Sequence, residues 1–274
     1  MKKEISTLTA IYALTMLLMC IPSLIPYQPV RIIFSYFAYF IPIGIGFIFI
    51  KRRGRLENES PFGFGMQKDK ILPFIPTVAP TISIIIAVAF LSERVLSFIG
   101  YQSTSPVIDN LFLGILVHAL LPAILEEVLF RYIPIKLLLP YSGKWCVIFS
   151  TIFFSVMHLN LFTIPYAAVA GFIFVLIDIY AKGALPSIII HFVNNTISVI
   201  MIRGYTDSLS PTVFVIIAAV LALGSLGAAL VMHKMYKGFL SPLSKRCDGE
   251  LTLGAPLTLA AVALIISGLY LIGF

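Results

Sequence analysis

A succession of apolar runs, each about 20 residues long, constrains this chain more than any other feature it carries. Wound as α-helix, such a run rises about 30 Å, enough to cross the hydrocarbon core of a bilayer. The runs fall at residues 5–25, 32–50, 71–91, 111–139, 145–159, 164–181, 184–202, 213–232 and 256–274, of which the fifth and sixth are short. Backbone N–H and C=O groups find no water in lipid, so the runs predict helices, and no alternating, barrel-type pattern competes with them. The expected fold is all-α: a polytopic transmembrane helical bundle of about 8–9 membrane helices forming a single integral membrane domain over 1–274.

Composition excludes the ordinary soluble classes. The chain is 59% hydrophobic and 11% charged, with a mean hydropathy of +1.03. Lys2 and Lys3 precede the first apolar run, but that run lacks a small-x-small cleavage site before Tyr27 and is read as a retained span. Cys20, Cys146 and Cys247 are odd in number and widely scattered, which supports neither a disulfide framework nor a cysteine metal site.

The net charge of +7 is distributed as the positive-inside rule requires, so nucleic acid is not an expected partner. With nine alternating helices, one side receives Lys2, Lys3, Lys51, Arg52, Arg53, Arg55, Lys68, Lys70, Lys136, Lys144, Lys182, Lys234, Lys237, Lys245 and Arg246. The other receives Arg31, Arg94 and Arg203, leaving Arg131 within the membrane. This partition predicts nine spans with a cytoplasmic N-terminus. The 51–70 segment, with Pro61-Phe62-Gly63-Phe64-Gly65, is expected to be a solvated connector, with contact to anionic headgroups as the alternative.

Three polar clusters interrupt the later spans: Glu126, Glu127 and Arg131; Phe154 and His158; His191, Asn194 and Asn195. Each ionised side chain at the centre of a membrane helix costs roughly 2.5 to 3.5 kcal/mol, so the first cluster would cost about 8 to 10 kcal/mol if unpaired. Residues four apart share a helix face, so Glu127 can pair with Arg131 while Glu126, rotated about 100° away, is left to face a cavity as the candidate base. His191 and Asn195 also share a face and offer two donors for a developing oxyanion, with Asn194 as an alternative donor. Phe154, one turn before His158, is placed to wall the pocket, and His158 to orient or help deprotonate a water with Glu126. Each cluster also has a duller explanation as an interhelical hydrogen bond, a structural ion pair or a transporter's proton relay, and for His118 and Asp178 the first is preferred.

Glu-Glu-x-x-x-Arg at 126–131, Phe-x-x-x-His at 154–158 and His-x-x-x-Asn at 191–195 occur in an order that resembles the motif set of the CAAX-processing and bacteriocin-processing (CPBP, or Abi) family. That family includes the type II CAAX prenyl endopeptidases. The resemblance covers about 111–202, taken as the catalytic core, with flanking helices over 1–110 and 203–274. It implies a glutamic-type intramembrane endopeptidase in which Glu126 and His158 activate a water, His191 and Asn195 stabilise the oxyanion, and Glu127, Arg131 and Phe154 support the site. No cofactor is expected. Zinc, held by two histidines and a glutamate, is the alternative, disfavoured because the chain has no His-Glu-x-x-His pair.

The implied substrate is a lipidated (CAAX-type), hydrophobic or leader peptide, handled among membrane lipids, and by analogy the setting is a prokaryotic cell membrane. A non-proteolytic peptide-binding, bacteriocin-immunity or scaffold protein of the same fold is the alternative. A proton-coupled transporter would call for paired halves with broken helices, and the sequence shows no such symmetry.

Overall fold

The computed structural model describes residues 1–55, 62–98, 100 and 110–201. The expected spans at 213–232 and 256–274 lie outside the described residues. Within them the chain is a helical bundle with no strand, built from α1 (Lys2–Cys20), α2 (Gln28–Arg52), α3 (Lys68–Phe98), α4 (Leu111–Leu138), α5 (Gly143–Val156), α6 (Thr163–Ala181) and α7 (Leu185–Ile200). The first four and α6 are long and apolar enough to cross a membrane. The protein is a multi-pass helical membrane protein. At about 1.5 Å per residue, α5 and α7 reach only roughly 21 and 24 Å, so each can end inside a hydrocarbon core of about 30 Å.

Local chemistry sets the helix ends. Asn110 and Ser142 cap α4 and α5 by accepting from the backbone N–H groups of Leu113 and Trp145 at 2.9 and 3.2 Å. The α6 helix closes on Lys182, which takes the left-handed conformation at φ 56°. The next turn starts α7, and Asp178 of α6 serves that helix start from outside. Its carboxylate accepts from Ser187 N–H at 3.1 Å and Ser187 Oγ at 2.7 Å, both in the first turn of α7, where the helix dipole favours negative charge.

The long α4 helix is not uniform. Two π-helical turns, Leu116–Leu120 and Val128–Tyr132, bracket the stretch Leu121–Glu127. Each π turn is followed, two residues on, by a proline, Pro122 or Pro134. Proline lacks an N–H and its ring clashes with the carbonyl four residues back, so a widened turn ahead of it relieves a contact that a regular helix could not accommodate. Residues 125–138 are all buried, which makes the second half of α4 the centre of the bundle.

The basic loops meet at one end of the bundle. Glu4 on α1 pairs with Arg53 at 3.1 Å and accepts from Tyr141 Oη in the α4–α5 turn at 3.2 Å. Arg55 donates to the carbonyls of Lys136 and Leu137 at 3.1 and 2.8 Å. Gly63 bonds to both sides of the α6–α7 turn, donating to Lys182 at 3.0 Å and accepting from Ala184 at 3.2 Å, while Gln67 N–H donates to Ala181 at 3.2 Å. The approach is so close that a Cβ on Gly183 would stand 1.4 Å from the carbonyl oxygen of Gly65. The N-terminus, residues 51–55 and 62–70, and the turns at 139–142 and 182–184 thus share one end of the bundle.

Candidate active site

Four of the helices deliver the polar groups to one place. Glu126 and Glu127 come from the α stretch between the two π turns of α4, Arg131 from the second π turn, His191 from α7 and Tyr39 from α2. The remaining contribution is from the end of α5. That helix was expected to run to Leu159, but it stops at Val156, so His158 projects from the turn beyond it. Leu159 has φ 49°, and Asn160 organises the rest of the turn by accepting from Phe162 N–H through Oδ1 at 2.9 Å.

Glu127 and Arg131 are fully buried and stand 3.1 Å apart between Oε1 and Nη1. The guanidinium lies over aromatic rings, with Cζ 3.6 Å from the Phe154 centroid and 5.4 Å from that of Phe174. Gly171 on α6 makes room for this stack: a Cβ there would meet Phe154 Cδ1 at 3.2 Å and Thr151 Cα at 3.3 Å. The Phe154 ring also lies edge-on to both imidazoles, with centroids 4.9 Å from His158 and 5.7 Å from His191. It thus touches the guanidinium on its face and both imidazoles at an edge-on angle.

Hydrogen bonds fix both imidazoles. His158 Nδ1 is 2.7 Å from the Phe154 carbonyl, one of the carbonyls left over where α5 ends, so Nδ1 carries the proton and Nε2 is turned toward Glu126. His191 Nδ1 is 2.6 Å from Glu127 Oε1 and donates to it, again aiming Nε2 at Glu126. The two Nε2 atoms stand 3.9 and 3.8 Å from the same oxygen, Glu126 Oε2. The other oxygen, Oε1, accepts from Tyr39 Oη at 3.0 Å.

Access is graded across the cluster. His158 is 25% exposed and Glu126 11%, whereas Glu127 and Arg131 are sealed off completely. Solvent therefore reaches His158, whereas Glu126 Oε2 is buried without a hydrogen-bond partner among the described residues and the ion pair lies behind it. Asn195, one turn beyond His191, accepts from Asn194 Nδ2 at 3.4 Å, and neither amide bonds to the cluster of Glu126, His158 and His191. Asp178 and His118, outside the cluster, divide: Asp178 makes the interhelical bonds to Ser187, and His118 Nε2 is buried without a partner among the described residues.

The residue that sequence reasoning missed is Tyr39. The available signal was a phenol inside the apolar run Tyr36-Phe37-Ala38-Tyr39-Phe40, where a buried hydroxyl needs a partner. Among the described residues no group of three His, Cys, Asp or Glu side chains stands at the spacing that holds a metal ion.

The fold and the site define a class, a helical membrane protein with a carboxylate and two oriented imidazoles buried between its helices. A family model described as "Type II CAAX prenyl endopeptidase Rce1-like" matches residues 108–197, about a third of the chain and the part that carries all three motifs. That segment is similar to a family of proteases, as the motifs at 126–131, 154–158 and 191–195 imply. No curated protein and no solved structure matches the chain.

Proposed function

We propose that this protein is an intramembrane endopeptidase that hydrolyses a peptide bond in a lipidated (CAAX-type), hydrophobic or leader peptide, using a glutamate and a histidine to activate water without a metal. One observation carries the reading: the Nε2 atoms of two oriented imidazoles stand 3.9 and 3.8 Å from a single carboxylate oxygen, Glu126 Oε2, at the edge of a sealed ion pair.

The chemistry rests on the donor inventory. Glu126 Oε2 and His158 Nε2 are both acceptors, and a water oxygen about 2.8 Å from each bridges a 3.9 Å gap while giving one proton to either side. The water oxygen attacks the substrate carbonyl carbon as its proton passes to Glu126, and the carbonyl π pair moves onto oxygen. His191 can donate to that oxyanion from Nε2 only as an imidazolium, because Nδ1 already holds a proton for Glu127. Asn195 completes the oxyanion site after its amide turns from Asn194 toward the substrate. The oxyanion pair then re-forms the carbonyl as the C–N bond breaks, the C–N pair goes to nitrogen, and the proton held by Glu126 leaves with the amine.

By the positive-inside rule, the end carrying the basic loops, and with it the N-terminus, faces the cytoplasm, in what we take to be a prokaryotic membrane. The test requires no guess about substrate. Peptide termini are surveyed in membranes and medium from cells expressing wild type or Glu126→Ala at matched levels. Termini produced only by wild type are expected; unchanged termini together with an unchanged cellular phenotype would overturn the reading in favour of a non-proteolytic binding or immunity protein.

A further inference from the structure

We infer that Tyr39 is the positioning residue of the catalytic base, and that α2, outside the family-matched segment, is an integral part of the active site. This rests on the reading of Glu126 as the base. A carboxylate has two oxygens, and a base held by neither can rotate and present either. Tyr39 Oη occupies Glu126 Oε1 at 3.0 Å, which leaves Oε2 as the oxygen that faces His158 and His191. The phenol is buried and bonds the oxygen that the imidazoles do not face, so it fixes the direction of the reactive lone pair without touching the reacting atoms.

The helix carrying Tyr39 is itself registered against α4. Tyr36, one turn earlier on the same face, donates through its hydroxyl to the carbonyl of Val117. That carbonyl lies in the first π turn, where Leu121 N–H reaches back five residues to Leu116. Continued by one residue, the same pattern would pair Val117 with the N–H of residue 122, which is proline and has none. Tyr36 satisfies the orphan. The two phenols therefore grip α4 at two points, a backbone acceptor exposed by Pro122 and the carboxylate nine residues beyond it. Rigid placement of a base to within about 0.5 Å is what such support from a neighbouring element provides.

The test is Tyr39→Phe, which removes one oxygen and keeps the ring. Hydrogen bonds to a charged group imply a fall of about 10- to 100-fold in kcat on a substrate identified from the termini survey, with KM within about twofold. A readout independent of activity is the infrared carboxylate band that disappears in Glu126→Gln. Tyr39→Phe is expected to shift it, and 3-fluorotyrosine at position 39, an isosteric and stronger donor that preserves packing if Phe does not fold, is expected to shift it the opposite way. A band unmoved by both would overturn the inference, as would unchanged kcat in Tyr39→Phe alongside inactivity of Glu126→Gln. Full activity in Glu126→Gln would instead overturn the reading of Glu126 as the base.

Discussion

Replacing Arg131 by Met tests whether the sealed ion pair is charged. Arg131 is fully buried, 3.1 Å from Glu127 and stacked on Phe154, and Met fills part of its volume without a charge. The substitution leaves the buried Glu127 carboxylate without its cation, next to the His191 N–H and the Ser187 hydroxyl. Breaking a buried pair from one side costs about 3–5 kcal/mol. Glu127→Gln should cost less, since Asp178 and Glu126 still face the guanidinium and the amide oxygen can still accept from His191. In the double variant the uncompensated charge of Glu127 is gone, so its cost should fall about 2 kcal/mol or more short of the sum of the two. The chain's single tryptophan, Trp145, packs against the core near the start of α5 and reports unfolding in a mixed-micelle denaturant titration. Costs that add to within about 0.5 kcal/mol would show that the two side chains do not interact as ions.

Three further outcomes are expected. Gly183→Ala forces a Cβ into the carbonyl of Gly65 and should release the hydrogen bonds of Gly63 and Gln67, lowering stability by about 2–4 kcal/mol in the same titration. Gly65→Ala, whose Cβ meets nothing within 4 Å, should change it by less than about 0.5 kcal/mol. Peptide cleavage should survive a chelator strong enough to strip zinc, and complete loss restored by added zinc would refute the metal-free mechanism.

The membrane bundle was legible because lipid leaves the backbone no alternative: a run such as 71–91 can only be helix, and α3 spans Lys68–Phe98. The pairing of Glu127 with Arg131 was legible because residues four apart remain close even through a π turn when one of them has the reach of arginine. The end of α5 was not legible. Val156, Met157 and Leu159 continue the apolar pattern without a break, and only the left-handed Leu159 and the Asn160 turn stop the helix. Tyr39 was illegible for a different reason. It lies 87 residues from Glu126 in a run where Phe37 and Phe40 are exposed, and nothing local separates the ring that turns inward from those that face out.

The prolines of α4 bear on how the stretch carrying both glutamates is turned relative to the rest of the span, the roughly 100° between the adjacent side chains being that of a regular helix. A π turn holds one residue more than the pattern of a regular helix allows, so it offsets the azimuth of the residues after it by about 100°. With one such turn before Leu121 and another after Glu127, the stretch carrying both carboxylates is rotated independently of the helix on either side. Glu126 is thereby free to meet Tyr39 on α2 and the imidazole edges, while Glu127 meets the back of His191 and Arg131. In a uniform helix, the packing of residues 111–115 and 133–138 would dictate where the glutamates point. Here the widened turns take up that constraint, which is why the departures from regular helix flank the charged residues at the centre of the span.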